Sequence, residues 1–151
     1  MFKYCVWYLI HERHPIHTQI KKYATQFKTI PFKPHISLRT SLEKEEAKEW
    51  LDTYKKSSKP FFFSQKEYNP KSTSTLIDDV MFHAIEVPLM VDNYVVEGMH
   101  VSLAYRLGGD PFTQADLDST DRVDTIRAGD IEMVMVDCRS KNPSAWEVLK
   151  S

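Results

Sequence analysis

Two short segments of the chain share one pattern of chemically active residues. Residues 35–38 read His-Ile-Ser-Leu and residues 100–103 read His-Val-Ser-Leu. Each segment alternates polar with apolar side chains, as a half-buried strand does, so its histidine and serine project from one face. If the two strands are neighbours, or are related by a pseudo-twofold axis, two imidazoles and two hydroxyls converge on one point. Such a point is a suitable phosphate site.

This set of side chains suffices for phosphodiester cleavage without a metal. A neutral imidazole removes a proton from the attacking oxygen and an imidazolium protonates the leaving oxygen, each worth typically ~10² to 10⁴ in rate. The ordinary histidine pKa of about 6.5 lets one copy be charged and the other neutral. We therefore predict His35 and His100 as the acid–base pair, with Ser37 and Ser102 holding the non-bridging phosphate oxygens.

The competing interpretation is that two strands carry His and Ser on a polar face by chance. A single His-x-Ser tripeptide is weak evidence, because the chain has 6 histidines. Two copies with matching apolar partners, each on a predicted strand, favour a real site.

Composition limits the classes of protein to consider. The chain has 151 residues, so we predict a single domain over residues 1–151. Hydrophobic residues make up 42% and charged residues 27%, which excludes intrinsic disorder and fibrous structure. The net charge of -1 argues against long nucleic acids and membrane surfaces as partners. No run approaches the ~18 apolar residues of a membrane span, and the amino-terminal segment is a poor signal peptide.

The two cysteines favour a cytoplasmic location. Cys5 and Cys138 are far apart and lack CxxC spacing, so they define neither a disulfide framework nor a zinc cage. We interpret both as buried thiols in a reducing cytoplasm.

The predicted elements are mixed, so the fold class is α+β. Apolar residues at helical spacing predict a helix over 16–27 and a second one that begins at a Thr40/Glu43 capping box. Strands are predicted at 1–10, 35–39, 61–63, 80–87, 94–97, 100–105 and 131–136. The polar segment from Ser64 to Asp79 is the best candidate for a mobile loop.

The paired His-hydrophobic-Ser-hydrophobic motifs resemble those of the 2H phosphoesterases. That family implies a two-lobed α+β fold in which antiparallel sheets line a central cleft, with helices outside, and each lobe supplies one motif. The resemblance covers most of the chain and makes His35 and His100 the acid–base pair, with Ser37 and Ser102 as phosphate ligands. Tyr105 resembles a tyrosine that follows the second motif in some plant-type cyclic phosphodiesterases of the family, where it lies beside the substrate.

At finer grain, the chain is similar to the phage anti-CBASS phosphodiesterases in its size, its Val-Trp-Tyr start at residues 6–8 and its motif spacing. This resemblance implies a small cyclic oligonucleotide as substrate and no cofactor. A ribose 2′-hydroxyl would attack the adjacent 3′-phosphate and expel the 5′-oxygen. A near-neutral chain rich in Tyr, Trp and Phe is compatible with stacking the bases of such a ligand.

Further substrate contacts are predicted with alternatives. Trp7 and Tyr8 are neighbours on a strand, so only one of them faces the cleft. Arg39 shares the face of Ser37 and contacts either the phosphate or a surface carboxylate. Glu132 either hydrogen-bonds a base or lies at an exposed strand edge, and Trp146 caps either the core or the ligand.

The remaining histidines are predicted to be structural, and we predict no metal ligands. His11, His14 and His17 are separated by Pro15, so they do not share one helix face, and we interpret them as a solvated turn. His83 lies in an apolar strand and is expected to be a half-buried histidine with its hydrogen bonds satisfied.

Two functions compete with cyclic oligonucleotide cleavage. The first keeps the fold and site but acts on 2′,3′-cyclic nucleotides or RNA ends. The second is a nucleotide-binding module in which the histidine pair only grips a phosphate. The sequence leaves the oligomeric state, the preferred bases and the choice of the first-step base open.

Overall fold

The computed structural model describes residues 2–150 and shows an α+β fold with mostly antiparallel sheets. In chain order the elements are β1 (Tyr4–Ile10), α1 (Ile16–Phe27), β2 (His35–Leu42), α2 (Lys44–Lys55), β3 (Phe62–Ser64), β4 (Lys71–Ile77), β5 (Val80–Val91), β6 (Tyr94–Leu107), α3 (Gln114–Asp118), β7 (Ile126–Arg127), β8 (Ile131–Asp137) and β9 (Glu147–Lys150). The predicted fold class of α+β is confirmed.

The strands form two sheets, and each His-x-Ser segment lies in one of them. The first sheet has the order β2-β1-β8-β9. The second has the order β4-β5-β3-β7, with β6 paired to β5. β2 and β6 contact each other across the gap between the sheets. The two strands that carry the motifs therefore face one another.

Each of the two long helices packs on one sheet. α1 contacts β6, and its predicted apolar stripe is buried at Ile16, Ile20 and Tyr23. α2 contacts β1, β2 and β8. The predicted start of α2 at Thr40 is wrong: β2 continues to Leu42, and a reciprocal capping box between Glu43 and Glu46 begins the helix at Lys44.

The predicted mobile loop from Ser64 to Asp79 is wrong for most of its length. Residues 71–77 form β4, which pairs with β5 as a hairpin. Asp78 and Asp79 have φ values of 47° and 65°, as in a type I′ turn, which joins two antiparallel strands tightly. Most positions of this strand are exposed and carry Ser or Thr. The sequence therefore lacks the alternation of polar and apolar residues by which a strand is usually recognised.

The predicted strands at 94–97 and 100–105 form one element, β6. The break in the sequence pattern is a change of register: Pro88 pairs with His100, whereas Met90 pairs with Val95. The intervening residues of β6 leave the regular ladder, and Gly98 there has a φ of 82°, which a residue with a side chain rarely adopts. Within residues 2–150, none of the helices has the length and apolar character needed to cross a membrane.

Candidate active site

The two His-x-Ser segments line one cleft of about 220 Å³ between β2 and β6. His35 and Ser37 come from β2, and His100 and Ser102 come from β6. The structure thus brings together the four side chains that the sequence pairs. The cleft is also lined by Phe2, Cys5, Trp7, Thr40, Thr73, Thr75, Phe82, Ala84, Glu86, Tyr105, Cys138 and Trp146.

His35 is a buried, neutral imidazole. Its ring is 5% exposed and stacks on Trp7, with 3.5 Å between ring centroids. Nδ1 lies 2.7 Å from the carbonyl oxygen of Lys33, which can only accept, so the proton is on Nδ1 and Nε2 keeps its lone pair. Burial lowers the pKa of His35 to about 4; the hydrogen bond to Lys33 opposes this shift and the charge of His100 adds to it. His35 is therefore ready to accept a proton at neutral pH.

His100 is more exposed and lies beside a carboxylate. Its side chain is 34% exposed, and Nδ1–H donates to the carbonyl oxygen of Gly98 at 2.8 Å. Its Nε2 lies 3.3 Å from Oε2 of Glu86. This contact is an ion pair whenever the imidazole carries a proton on both nitrogens. His100 is thus suited to deliver a proton.

The two motifs are structural repeats down to a shared β-bulge. In the first motif Ser37 pairs with Trp7 and Arg39 pairs with Val6, so one extra residue, Leu38, lies between them. A bulge of this kind shifts the alternation of side chains by one position. The residue that faces the cleft after the serine is therefore Thr40, whereas Arg39 points elsewhere.

The second motif has the same bulge at the corresponding leucine. Ser102 pairs with Glu86 and Ala104 pairs with Ile85, which makes Leu103 the extra residue. Tyr105 consequently lines the cleft, three positions after its serine, as Thr40 does in the first motif. The repeat therefore extends beyond the tetrapeptide that is visible in the sequence.

The registers place Trp7 and Glu86 at equivalent positions of the two halves. Trp7 lies directly opposite Ser37, and Glu86 lies directly opposite Ser102. Directly opposite residues on antiparallel strands share a face, which explains why each contacts the nearby histidine. An indole ring beside His35 and a carboxylate beside His100 give two matching His-x-Ser segments different chemical environments.

Tyr105 lies at the floor of the cleft, where the resemblance predicts a substrate contact. It is 8% exposed, and burial raises the pKa of its phenol, whereas the neighbouring Ser102 hydroxyl opposes this shift. The phenol is therefore protonated at neutral pH. Ser102, which is itself 4% exposed, lines the same cleft.

The structure places Trp7 and Trp146 at the cleft and removes Tyr8 from it. Trp146 is 6% exposed, lies edge-on to Trp7 and donates from Nε1 to the carbonyl oxygen of Ser140 at 2.8 Å. Tyr8 projects to the other side of β1, where it packs against Phe63 in the core. Of the two neighbouring aromatic residues, Trp7 is the one that lines the site.

Two predicted substrate contacts lie outside the cleft. The guanidinium of Arg39 lies 3.9 Å from the ring centroid of Trp50 and donates from Nε to the Tyr54 hydroxyl, so it belongs to the surface of α2. The prediction that it shares the face of Ser37 is wrong because of the bulge at Leu38. Glu132 lines a different groove, beside the end of β1.

Sequence reasoning missed Glu86 and the cleft threonines. Thr73 and Thr75 come from β4, which the sequence presents as a loop. Thr40 reaches the cleft only because of the bulge. The sequence does contain one signal for Glu86. It is the only acidic residue in segment 80–91, where His83 is the only other polar side chain, and a carboxylate in an apolar strand is usually paired.

The other histidines have structural contacts. His83 is 2% exposed, accepts from the Ser74 hydroxyl and donates to the carbonyl of Gly109, as predicted for a satisfied core histidine. The prediction of a solvated turn is wrong for His14, which is 5% exposed and accepts from the backbone N–H of Ile16. In the described part of the chain no group of three or more His, Cys, Asp or Glu side chains is placed to hold a metal ion.

The two cysteines lie under the cleft as free, buried thiols, which confirms the prediction of their burial. Cys5 Sγ donates to the carbonyl oxygen of Phe2 at 3.5 Å. The interaction between the two thiols lowers the pKa of Cys5 and raises that of Cys138, because the loss of one proton disfavours the loss of the second.

Comparison with known proteins gives no family for the chain: no family model matches the sequence, and no curated protein is a significant match.

Proposed function

We propose that the chain is a metal-independent phosphodiesterase of the 2H type, with two lobes that each supply one motif. Its proposed substrates are cyclic oligonucleotide second messengers, whose 3′–5′ bonds it cleaves, so that it counters bacterial anti-phage signalling. The observation that carries the proposal is the cleft in which a neutral His35 and a carboxylate-paired His100 face one space, each beside its own serine.

The proposed first step is an attack of the ribose 2′-hydroxyl on the adjacent 3′-phosphate. Nε2 of His35 takes the hydroxyl proton, and the 2′-oxygen forms its bond to phosphorus. The bond from phosphorus to the 5′-oxygen breaks, and Nε2–H of His100 protonates that leaving oxygen. The products are a 2′,3′-cyclic phosphate and a free 5′-hydroxyl. The leaving oxygen replaces Glu86 as the acceptor of the His100 proton.

The proposed second step reopens the cyclic phosphate with the roles exchanged. His100, now neutral, takes a proton from water as that water attacks phosphorus. His35, now protonated, gives its proton to the departing 2′-oxygen. Both histidines return to their starting states. The hydroxyls of Ser37 and Ser102 donate to the non-bridging oxygens, where negative charge develops in each step.

The surroundings of the cleft support a small nucleotide ligand. Trp7, Tyr105 and Trp146 form an aromatic floor that matches the planar groups of nucleotides. Thr73 and Thr75 add hydroxyl donors on the β4 side. The net charge of -1 provides no extended basic track for a long strand.

The test is a substrate panel incubated with and without EDTA and analysed by chromatography. The panel contains cyclic di- and trinucleotides, linear 3′–5′ dinucleotides and 2′,3′-cyclic mononucleotides. We expect cleavage of the cyclic oligonucleotides at an unchanged rate in EDTA, with a 2′,3′-cyclic phosphate as an intermediate product.

Other outcomes contradict specific parts of the proposal. If the chain cleaves only 2′,3′-cyclic mononucleotides, its function is in RNA processing and cyclic oligonucleotides are not its substrates. Ligand binding without product would make the chain a nucleotide-binding module. Activity that disappears in EDTA and returns with a divalent cation would refute the acid–base mechanism.

A further inference from the structure

A second, larger groove of about 640 Å³ adjoins the cleft on the side of His100. His100 and Glu86 line both spaces, so they form the boundary between them. The groove is otherwise lined by Lys66, Glu67, Asn69, Lys71, Pro88, Leu89, Met90, Val95, Val96, Glu97, Gly98 and Met99.

The catalytic cleft is smaller than a typical small-molecule site, which has a volume of ~300 to 1,000 Å³. The cleft has a volume of about 220 Å³, and the adjoining groove has one of about 640 Å³. A dinucleotide whose phosphate lies between the histidines is expected to extend beyond the cleft. On the side of His100, the groove is the space that it would enter.

The walls of the groove suit a nucleoside. Val95 is 86% exposed and Val96 is 41% exposed, which leaves apolar surface facing the groove. Val95 still pairs with Met90, whereas Val96 belongs to residues 96–99, which leave the ladder beside His100. The ends of Lys66 and Lys71 provide donors, and the carboxylates of Glu67 and Glu97 provide acceptors.

We infer that this groove binds the leaving nucleoside of a 3′–5′-linked oligonucleotide. The inference rests on the proposed function, in which His100 protonates the 5′-oxygen. Because that oxygen must lie beside Nε2 of His100, its nucleoside extends from His100 into the space that His100 also lines. Val95 and Val96 contact the face of its base, the two carboxylates accept from its N–H groups, and Lys66 or Lys71 binds the next phosphate.

The experiment compares two substrates whose leaving oxygens are chemically similar alkoxides. One is a 3′–5′ dinucleoside monophosphate, and the other is the 3′-(methyl phosphate) ester of the same first nucleoside, which lacks the leaving nucleoside. The quantity measured is the ratio of kcat/KM for the dinucleotide to kcat/KM for the methyl ester. We expect a ratio well above one for the unmodified chain and a ratio about tenfold lower in Val95→Asp.

Tyr94→Asp is the matched control. Tyr94 is 75% exposed on the same hairpin but does not line the groove, so the same change of charge there should leave the ratio within about twofold. Because Val95 and Tyr94 are both solvent-exposed, both variants are expected to fold, which thermal unfolding by circular dichroism checks. Lys71→Met provides a second groove variant, with an expected loss on substrates that carry an additional phosphate.

The outcomes separate this inference from the proposed function. If both substrates are cleaved but the ratio does not respond to Val95→Asp, the groove does not bind the leaving nucleoside and the phosphodiesterase assignment stands. If the unmodified chain cleaves cyclic dinucleotides but neither of these linear substrates, the inference fails and the proposed function stands. If it cleaves none of the three, the proposed function fails and this inference fails with it.

Discussion

The two halves of the cleft start from the same local sequence and end in different chemistry. His35 and His100 each donate from Nδ1 to a backbone carbonyl two residues earlier. Each motif has a bulge at its leucine. The difference lies on the neighbouring strand, where Trp7 covers one imidazole and Glu86 lies beside the other.

This comparison shows that the environment, and not the motif, divides the catalytic roles. The indole ring of Trp7 excludes water from His35, and burial favours its neutral form. The carboxylate of Glu86 lies 3.3 Å from Nε2 of the more exposed His100. A pair of titratable groups with opposed environments is the arrangement expected of an acid and a base.

The largest expected effect is the loss of either histidine. We expect His35→Ala and His100→Ala each to lower kcat/KM on cyclic dinucleotides by ~10² to 10⁴. The double variant should lose little more than the worse single variant, because the two groups act in one step. His11→Ala is the control, since this exposed histidine lies outside the cleft. A loss below about tenfold for either cleft histidine would contradict the comparison.

The buried histidine, His35, should also make the free energy of unfolding depend on pH. The pKa of His35 is about 4 in the folded chain and about 6.5 when unfolded, so between these values only the unfolded chain binds this proton. The free energy of unfolding should therefore fall as pH is lowered from about 6.5 to 4, by about 3 kcal/mol from His35 alone, and this contribution is fully present above pH 6.5. Urea unfolding at pH 7, 5 and 4 measures it.

The matched variant for this measurement is His35→Gln, which keeps a polar side chain and cannot titrate. Its free energy of unfolding should depend less steeply on pH over the same window. Equal pH dependence in the two proteins would show that His35 is not held neutral by burial.

Removing the negative charge of Glu86, beside His100, should lower the rate by an intermediate amount. Glu86→Gln keeps the shape of the side chain but removes the charge that lies 3.3 Å from Nε2 of His100. We expect kcat on a dinucleotide to fall by about tenfold at pH 7, with a smaller loss on a substrate whose leaving group needs no proton. An equal loss on both substrates would instead indicate that Glu86 only supports the local structure.

The smallest effect is expected at Arg39, which the bulge removes from the site. Arg39→Ala should cost about 0.5 to 1 kcal/mol of stability, because it loses the contact with Trp50, and should change kcat/KM by less than about twofold. Thr40→Val, a substitution of nearly equal volume at the residue that lines the cleft, should lower kcat/KM more than Arg39→Ala does. The reverse order would contradict the register of β2.

The sequence predicts the parts of the site that depend on regular strand geometry. The histidine and serine of each motif are two residues apart, and ordinary alternation places them on one face. The two copies then indicate that their strands meet. The same alternation wrongly predicts that Arg39 faces the cleft. The bulge at Leu38 reverses the face of Arg39, and no residue type in the sequence indicates this bulge.

Residues from other strands are harder to predict, since register between distant strands is set by tertiary packing. Glu86 joins the site only through its pairing with Ser102, and Thr73 only through its pairing with Ala84. Because β4 is polar along most of its length, its sequence lacks the alternation that predicts a strand. The sequence therefore predicts a loop on this side of the cleft.

The most direct test of the account is the dependence of each histidine variant on the leaving group. A nucleoside 3′-(4-nitrophenyl phosphate) has a leaving group that needs no proton, whereas a dinucleotide has one that does. We predict that the loss caused by His100→Ala shrinks to about tenfold or less on the nitrophenyl ester, while the loss caused by His35→Ala stays the same on both substrates. The opposite pattern, or equal losses everywhere, would contradict the assignment of His35 as base and His100 as acid.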